Sequence, residues 1–130
     1  RADGRGIGPP MASILVVEDE LEVSDYLKDY FQLHGLQVYC APSGEQGLLL
    51  LSEHRPDLVL LDLKLGAGMS GLEFLRRARE AKVSPQIIVV TAVDDHNVAE
   101  LAKGLGASDY VTKPLMVDEL ERVVLSRLKK

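Results

Sequence analysis

Carboxylates follow or interrupt two apolar segments of this 130-residue chain, and their positions suit them for chemistry. Glu18 and Asp19 come directly after the apolar residues 14–17, and Asp62 lies within the apolar stretch 58–63. A buried carboxylate is costly without a partner, so Asp62 indicates a functional site rather than ordinary packing. Clustered carboxylates repel one another, which raises their pKa values unless a cation lies between them. Their hard oxygen atoms suit Mg²⁺, and a carboxylate beside Mg²⁺ can act as a nucleophile towards phosphorus.

A hydroxyl group and an ammonium group end two further apolar segments. Thr91 follows residues 87–90, and Lys113 follows residues 109–112. Lys113 offers a point charge and Thr91 a hydrogen bond to the oxygens of a phosphoryl group, while the small side chain of Ala92 leaves room for that group. Phosphoryl transfer needs mainly positioning and charge stabilisation. These residue types are therefore sufficient for the transfer of a phosphoryl group to a carboxylate.

An alternation of strands and helices must bring these side chains together. Short apolar runs predict strands that are buried on both faces, as in a parallel sheet. They lie at 14–17, 57–63 and 87–90, with weaker candidates at 37–40 and 109–112. Helical periodicity predicts helices at 20–34, 44–54, 70–82, 95–103 and 117–129. The pattern predicts an α/β fold of five β-α units, with a functional site at the carboxyl ends of the strands.

Four stretches, in this order and spacing, resemble the receiver domain of bacterial two-component response regulators over residues 13–129. They are ILVVEDE at 14–20, PDLVLLDL at 56–63, VVTA at 89–92 and GASDYVTKP at 106–114. The resemblance implies a flavodoxin-like (βα)5 three-layer sandwich, with a five-stranded parallel sheet in the order 2-1-3-4-5. It also implies that the chain is a phosphoprotein of a phosphorelay.

The resemblance further implies a role for each residue of the site. Asp62 is expected to accept a phosphoryl group from a sensor histidine kinase or a histidine phosphotransfer protein. Thr91 and Lys113 are expected to hold that group, and Tyr110 is expected to be an aromatic switch that swings inward as Thr91 moves. The bond between Lys113 and Pro114 is expected to be cis. The expected Mg²⁺ ligands are the side chains of Glu18, Asp19 and Asp62 and the backbone carbonyl of Lys64.

The sequence departs from the family pattern around the site. Glu18 stands where aspartate is commoner. Gly66 stands where a proline is frequent, and the loop from there to Gly71 is about one residue longer than usual, which predicts greater mobility. Lys64 and Val93 occupy two positions that tune hydrolysis of the phosphorylated state in this family.

Composition excludes several classes of protein. With 46% hydrophobic residues the chain is not disordered, and it has the size of one domain. No apolar run approaches the roughly 18 residues that span a membrane, and the net charge of −5 argues against direct nucleic-acid binding. The single cysteine, Cys40, fits a reducing compartment such as the cytoplasm. Residues 1–10 are predicted to be an appended, disordered leader ahead of a native start at Met11, and residues 11–130 to be the receiver domain.

Phosphorylation of Asp62 is expected to bias a two-state equilibrium in the face formed by helix 95–103, strand 109–112 and helix 117–129. That face then binds an output domain or a downstream protein, or forms a homodimer. Helix 20–34 is expected to dock the histidine donor. On this hypothesis the domain catalyses only its own phosphorylation and dephosphorylation, and it is not an enzyme acting on an external substrate.

Three alternative hypotheses remain open at this point. The first is a receiver-like interaction module that no longer uses phosphorylation. The second is a Mg²⁺-dependent phosphohydrolase, which would need a second acid at the position of Lys64. The third is a dinucleotide site at residues 66–71, which match G-x-G-x-x-G, although Asp62 occupies the space ahead of this motif.

Overall fold

The computed structural model describes residues 12–81, 85–93, 95–114 and 116–128. Five strands and five helices alternate along this part of the chain, and none of the helices is long and apolar enough to cross a membrane. The predicted leader at residues 1–10 and the predicted start at Met11 lie outside the described residues. The strands are β1 (Ser13–Val17), β2 (Gln37–Ala41), β3 (Leu58–Leu61), β4 (Gln86–Thr91) and β5 (Asp109–Thr112). The helices are α1 (Leu21–Leu33), α2 (Gly44–His54), α3 (Gly71–Glu80), α4 (His96–Gly104) and α5 (Val117–Leu128).

All five strands are parallel and form a single sheet in the order β2-β1-β3-β4-β5. This order confirms the predicted α/β, flavodoxin-like fold. β1 and β3 are neighbours near the middle of the sheet, although α1, β2 and α2 separate them along the chain. Because the strands are parallel, side chains at the carboxyl ends of β1, β3, β4 and β5 lie at the same end of the sheet.

The backbone ladder continues one residue beyond the carboxyl ends of several strands. In each case the first residue after a strand donates its N–H to the last carbonyl of the neighbouring strand. These bonds run from Glu18 to Ala41 (3.0 Å), from Asp62 to Val17 (3.0 Å) and from Lys113 to Thr91 (2.8 Å). The backbone of three predicted site residues is thus fixed by the sheet itself.

Two clusters of buried apolar side chains cover the two faces of the sheet. Successive strand residues point to opposite faces, so each central strand contributes to both clusters. One cluster packs against α2, α3 and α4 and includes Leu51, Phe74 and Ala102. The other packs against α1 and α5 and includes Phe31 and Leu120. Helices therefore form a layer on each side of the sheet, as predicted for a three-layer sandwich.

A local signal sets the start of α3, the helix that follows the loop after β3. The Oγ of Ser70 accepts the N–H of Glu73 at 3.1 Å, as the spacing of a capping box predicts. The carboxylate of Glu73 does not complete the box, because it pairs with Arg76 and Arg77 instead. One half of the predicted capping box is therefore made.

Candidate functional site

Three carboxylates meet at the carboxyl ends of β1 and β3. Glu18, Asp19 and Asp62 each offer an oxygen atom, and these atoms lie within 4.8 Å of one another. Glu18 and Asp62 are only 4% and 6% exposed, whereas Asp19 is exposed to solvent. The structure therefore brings together the three carboxylates whose positions at strand ends singled them out in the sequence.

Lys113 reaches into this acidic cluster from the end of β5. Its Nζ lies 3.0 Å from Oε1 of Glu18 and 3.3 Å from Oδ2 of Asp62. It also lies 3.8 Å from Oε1 of Glu20, an exposed carboxylate. Lys113 thus places one positive charge against the two buried carboxylates.

Burial and pairing shift the pKa values of two of these groups in the same direction for different reasons. Burial raises the pKa of the Glu18 carboxyl, against the opposing effect of the backbone N–H of Glu20 and of the Lys113 ammonium. Burial alone would lower the pKa of Lys113, but its bonds to Glu18 and Asp62 outweigh that effect and raise its pKa. The ammonium group is therefore held in its charged form at neutral pH.

The charge of the cluster fits a divalent cation. At their formal charges, the carboxylates of Glu18, Asp19 and Asp62 together with the ammonium group of Lys113 carry a net charge of −2. Carboxylate oxygens are hard ligands, and the exposure of Asp19 leaves one side open to water. Mg²⁺ prefers such a set, in which a few carboxylates bind it and water completes the octahedron. The donor set present here therefore fits Mg²⁺.

Thr91 and Tyr110 lie on the neighbouring strands β4 and β5. Thr91 ends β4 and is fully buried, and its Oγ1 accepts the N–H of Val93 at 3.3 Å. The hydroxyl of Tyr110 donates to the carbonyl of the same Val93 at 2.6 Å. Thr91 and Tyr110 are therefore linked through one residue of the segment that follows β4.

The backbone after Asp62 is held by close packing. The N–H of Lys64 donates to Oδ1 of Asp62 at 3.1 Å. The N–H of Gly71 donates to the carbonyl of Leu63 at 3.0 Å. A Cβ atom at Gly71 would lie 2.4 Å from Cα of Leu63 and 2.6 Å from the carbonyl oxygen of Asp62. Only glycine lets the start of α3 come this close to the backbone of Asp62.

The loop between β3 and α3 contacts two carboxylates. The N–H of Gly66 donates to Oδ2 of Asp19 at 3.0 Å, and the N–H of Met69 donates to Oε2 of Glu45 at 3.0 Å. This loop contains the G-x-G-x-x-G match. Two of its N–H groups are already bonded to carboxylates, whose charge would repel a pyrophosphate. The geometry therefore disfavours a dinucleotide site here.

Sequence reasoning missed one acidic residue near the site, Glu45. Glu20 belongs to the acidic run at residues 18–20 that ends the first apolar segment, although it was not assigned a role. Glu45 belongs to the first turn of α2. Acidic residues are common at this place in helices because their negative charge interacts favourably with the positive end of the helix dipole. Nothing in the sequence distinguished Glu45 from that general preference.

The Lys113–Pro114 bond is cis, as expected.

Comparison with protein families gives a match over most of the chain. The family described as "Response regulator receiver domain" matches residues 14–125. Among curated proteins, the chain is similar to "Sporulation initiation phosphotransferase F" of Bacillus subtilis (strain 168). The two are 35% identical over 111 residues, which cover 85% of this chain and 89% of the relative.

Solved structures give matches of the same kind. The signal receiver domain of a putative Luxo repressor protein from Vibrio parahaemolyticus superposes with a TM-score of 0.87 at 27% identity, covering 92% of each chain. The BeF3-activated N-terminal receiver domain of RstA from Klebsiella pneumoniae superposes with a TM-score of 0.80 at 30% identity. That match covers 90% of this chain and 99% of the other.

Proposed function

The chain belongs to the response regulator receiver domains, and on this premise we propose that Asp62 is its phosphoacceptor. Receiver domains are signalling modules of two-component phosphorelays and not enzymes in the usual sense. The acidic cluster of Glu18, Asp19 and Asp62 fits the phosphoacceptor site of the family. The observation that carries the assignment is a buried Asp62 carboxylate that touches a lysine and lies among two further carboxylates.

In the proposed reaction, a carboxylate oxygen of Asp62 forms a bond to phosphorus. The bond between phosphorus and the histidine nitrogen of the donor breaks, and its electron pair returns to the imidazole, which takes up a proton. For this bond to form, one oxygen of Asp62 must give up the hydrogen bond that it accepts now. Oδ2, which accepts a hydrogen bond from Lys113, is one candidate for the attacking oxygen. After transfer, the ammonium group of Lys113 can donate to the negatively charged phosphoryl oxygens instead.

The proposed Mg²⁺ ligands are the side chains of Glu18, Asp19 and Asp62, with the backbone carbonyl of Lys64. When bound, Mg²⁺ neutralises the phosphoryl oxygens and orients the donor. The net charge of −2 in the cluster supports this assignment. Since these groups serve the domain's own aspartate, the chain catalyses only its own phosphorylation and dephosphorylation.

Thr91, Lys113 and Tyr110 are proposed to turn phosphorylation into a change of shape. Thr91 and Lys113 hold the phosphoryl group, and Tyr110 responds when Thr91 moves. The shared contacts of Thr91 and Tyr110 with Val93 support this coupling, because a shift of that segment alters both hydrogen bonds. The surface that reads the change is the face formed by α4, β5 and α5.

The proposed partners follow from this chemistry. The donor is a sensor histidine kinase or a histidine phosphotransfer protein, docked at α1 beside Asp62. The switched face binds an output domain or a downstream protein, or forms a homodimer. The acidic domain itself binds neither nucleic acid nor membrane. The single cysteine supports a cytoplasmic setting, since disulfides are rare there.

The test is the intact mass of the protein after incubation with Mg²⁺ and acetyl phosphate. We expect one phosphoryl adduct on the wild type, none on Asp62→Asn and none without Mg²⁺. Asp57→Asn is the matched control, because Asp57 lies at the opposite end of β3 and bonds the N–H of Ser13. This control should keep the adduct.

A negative result is made decisive by a second probe. If the wild type takes no adduct, beryllofluoride with Mg²⁺ is titrated and followed by backbone amide NMR. Binding that depends on Asp62 would keep the phosphoacceptor assignment. Absence of both the adduct and beryllofluoride binding would overturn it in favour of the phosphorylation-independent interaction module.

A further inference from the structure

The loop from Gly66 to Gly71 has little intrinsic preference for one conformation. Its sequence is Gly-Ala-Gly-Met-Ser-Gly, and glycine loses more backbone freedom on ordering than other residues. Gly68 adopts a φ of 92°, a conformation that other residues rarely take. The loop nevertheless borders the site, since Gly66 bonds Asp19 and Gly71 packs on Asp62. Something must hold the residues between these two ends.

Glu45 contacts the middle of this loop from the first turn of α2. Its Oε2 accepts the N–H of Met69 at 3.0 Å. A Cβ atom at Gly68 would lie 2.9 Å from the same oxygen, so the carboxylate lies directly against the backbone of the loop. A Cβ atom at Gly44 would lie 3.0 Å from Sδ of Met69, so the start of α2 packs on the loop as well. The loop and α2 thus form one contact surface.

We propose that Glu45 is a positioning residue that holds the loop after Asp62 in the conformation that orients Asp19. The inference rests on the proposed function only in assigning Asp19 to Mg²⁺ binding. The N–H of Gly66 occupies Oδ2 of Asp19 and so fixes the direction in which the other oxygen points. Met69, three residues further on, is fixed by Glu45. Without that second anchor, the glycine-rich loop is free to take the N–H of Gly66 away from Asp19.

The proposed effect is preorganisation of the site. A hydrogen bond to a charged group contributes more than one between neutral groups, and a loop ordered in advance loses less entropy when a ligand binds. Loss of this single bond at an exposed position is expected to weaken Mg²⁺ binding about threefold to tenfold. The effect should be largest at low Mg²⁺ and should diminish as Mg²⁺ saturates the site.

Three variants separate positioning from simple loss of negative charge. Glu45→Ala removes both the acceptor and the charge, whereas Glu45→Gln removes the charge and keeps an acceptor oxygen at the same reach. Glu53→Gln is the matched control, because Glu53 is an exposed carboxylate on the same helix that contacts His54 instead of the loop. The readouts are amide hydrogen exchange at Gly66 and Met69 without Mg²⁺, and Mg²⁺ affinity by amide NMR.

Positioning predicts a distinct pattern across these variants. Glu45→Ala should speed amide exchange at both Gly66 and Met69 and weaken Mg²⁺ binding, while Glu45→Gln, which makes a weaker neutral hydrogen bond, should restore part of both. Glu53→Gln should match the wild type. The proposal is overturned if Glu45→Gln weakens Mg²⁺ binding as much as Glu45→Ala, because the effect would then be one of charge. It is also overturned if exchange at Gly66 is unchanged in Glu45→Ala.

Failure of the proposed function would look different. In that case the wild type would accept no phosphoryl group, whereas exchange at Gly66 and Met69 would still report on the contact with Glu45. The initial rate of phosphorylation by acetyl phosphate adds a further readout in a functional domain. In Glu45→Ala this rate should fall at low Mg²⁺ and recover at saturating Mg²⁺.

Discussion

Replacement of Gly71 by alanine gives the sharpest test of how the loop and α3 position Asp62. Two physical effects oppose each other at this residue. Alanine is favoured over glycine inside a helix by about 1 kcal/mol, so helix propensity alone predicts that Gly71→Ala, at the first position of α3, stabilises the protein by at most that amount. The packing predicts the opposite, because the new Cβ would lie 2.4 Å from Cα of Leu63 and 2.6 Å from the carbonyl oxygen of Asp62.

The magnitude follows from which atoms must move. Both contacts are with backbone, so no flexible side chain can turn away, and α3 must shift by about 1 Å to reach ordinary contact distances. Overpacking of this kind costs about 1–3 kcal/mol, and the shift also strains the hydrogen bond from Gly71 to Leu63, which is worth about 1 kcal/mol. Against the gain in helix propensity, we expect a net loss of about 2 kcal/mol in the free energy of unfolding.

The assay is urea unfolding followed by circular dichroism, with Gly104→Ala as the control. Gly104 is the last residue of α4, and a Cβ atom there would have no neighbour within 4 Å. Gly104→Ala should therefore leave the protein equally stable or slightly more stable. The rate of phosphorylation by acetyl phosphate should also fall in Gly71→Ala, by up to about 100-fold if Asp62 moves by 1 Å. A Gly71→Ala protein as stable as the wild type would refute the reasoning.

Two further predictions concern charged groups. Lys113→Met should lower the free energy of unfolding at pH 7 by about 3 kcal/mol, because it leaves the buried carboxylates of Glu18 and Asp62 without their cation. In urea unfolding, added Mg²⁺ should recover part of this loss of stability. A loss that Mg²⁺ does not reduce would contradict a single site at which Lys113 and Mg²⁺ face the same carboxylates. The pKa of Glu73 is lowered to about 2 by Arg76 and then Arg77, so its contribution to stability is complete above the unfolded pKa, near 4.5, and is lost as pH falls towards 2. The difference in unfolding midpoint between wild type and Glu73→Gln should shrink across that range, and a constant difference would show that the ion pairs contribute nothing.

Most of the fold and the centre of the site could be predicted from the sequence. Buried parallel strands appear in the sequence as continuous apolar runs. The residues that end these runs, or lie near the end in the case of Asp62, are those that the sheet places at its functional site. This rule alone placed Glu18 and Asp62 together. It also placed Lys113 among them, although 95 residues separate it from Glu18 along the chain.

The contacts that could not be predicted depend on the path of loops. The bond between Glu45 and Met69 depends on how α2 approaches the loop after β3, and no periodicity records that approach. The same holds for the close approach of Gly71 to the backbone of Asp62 and Leu63. In the sequence, a glycine at this position is equally consistent with an ordinary turn. Glu73 illustrates competition between signals, because the spacing of a capping box was present but two arginines one turn further on pair with its carboxylate.

β5 is an edge strand of the sheet, and this position affects both when the site is completed during synthesis and how the site is lost on local unfolding. Lys113 follows this strand, so it leaves the ribosome after the three carboxylates of the acidic cluster. The three carboxylates therefore lack their lysine until β5 and Lys113 have been synthesised. Edge elements open locally at a lower free energy than the core, so fraying of β5 withdraws the ammonium group while β1, β3 and β4 stay paired. Fraying of β5 thus leaves the two buried carboxylates of Glu18 and Asp62 without their lysine.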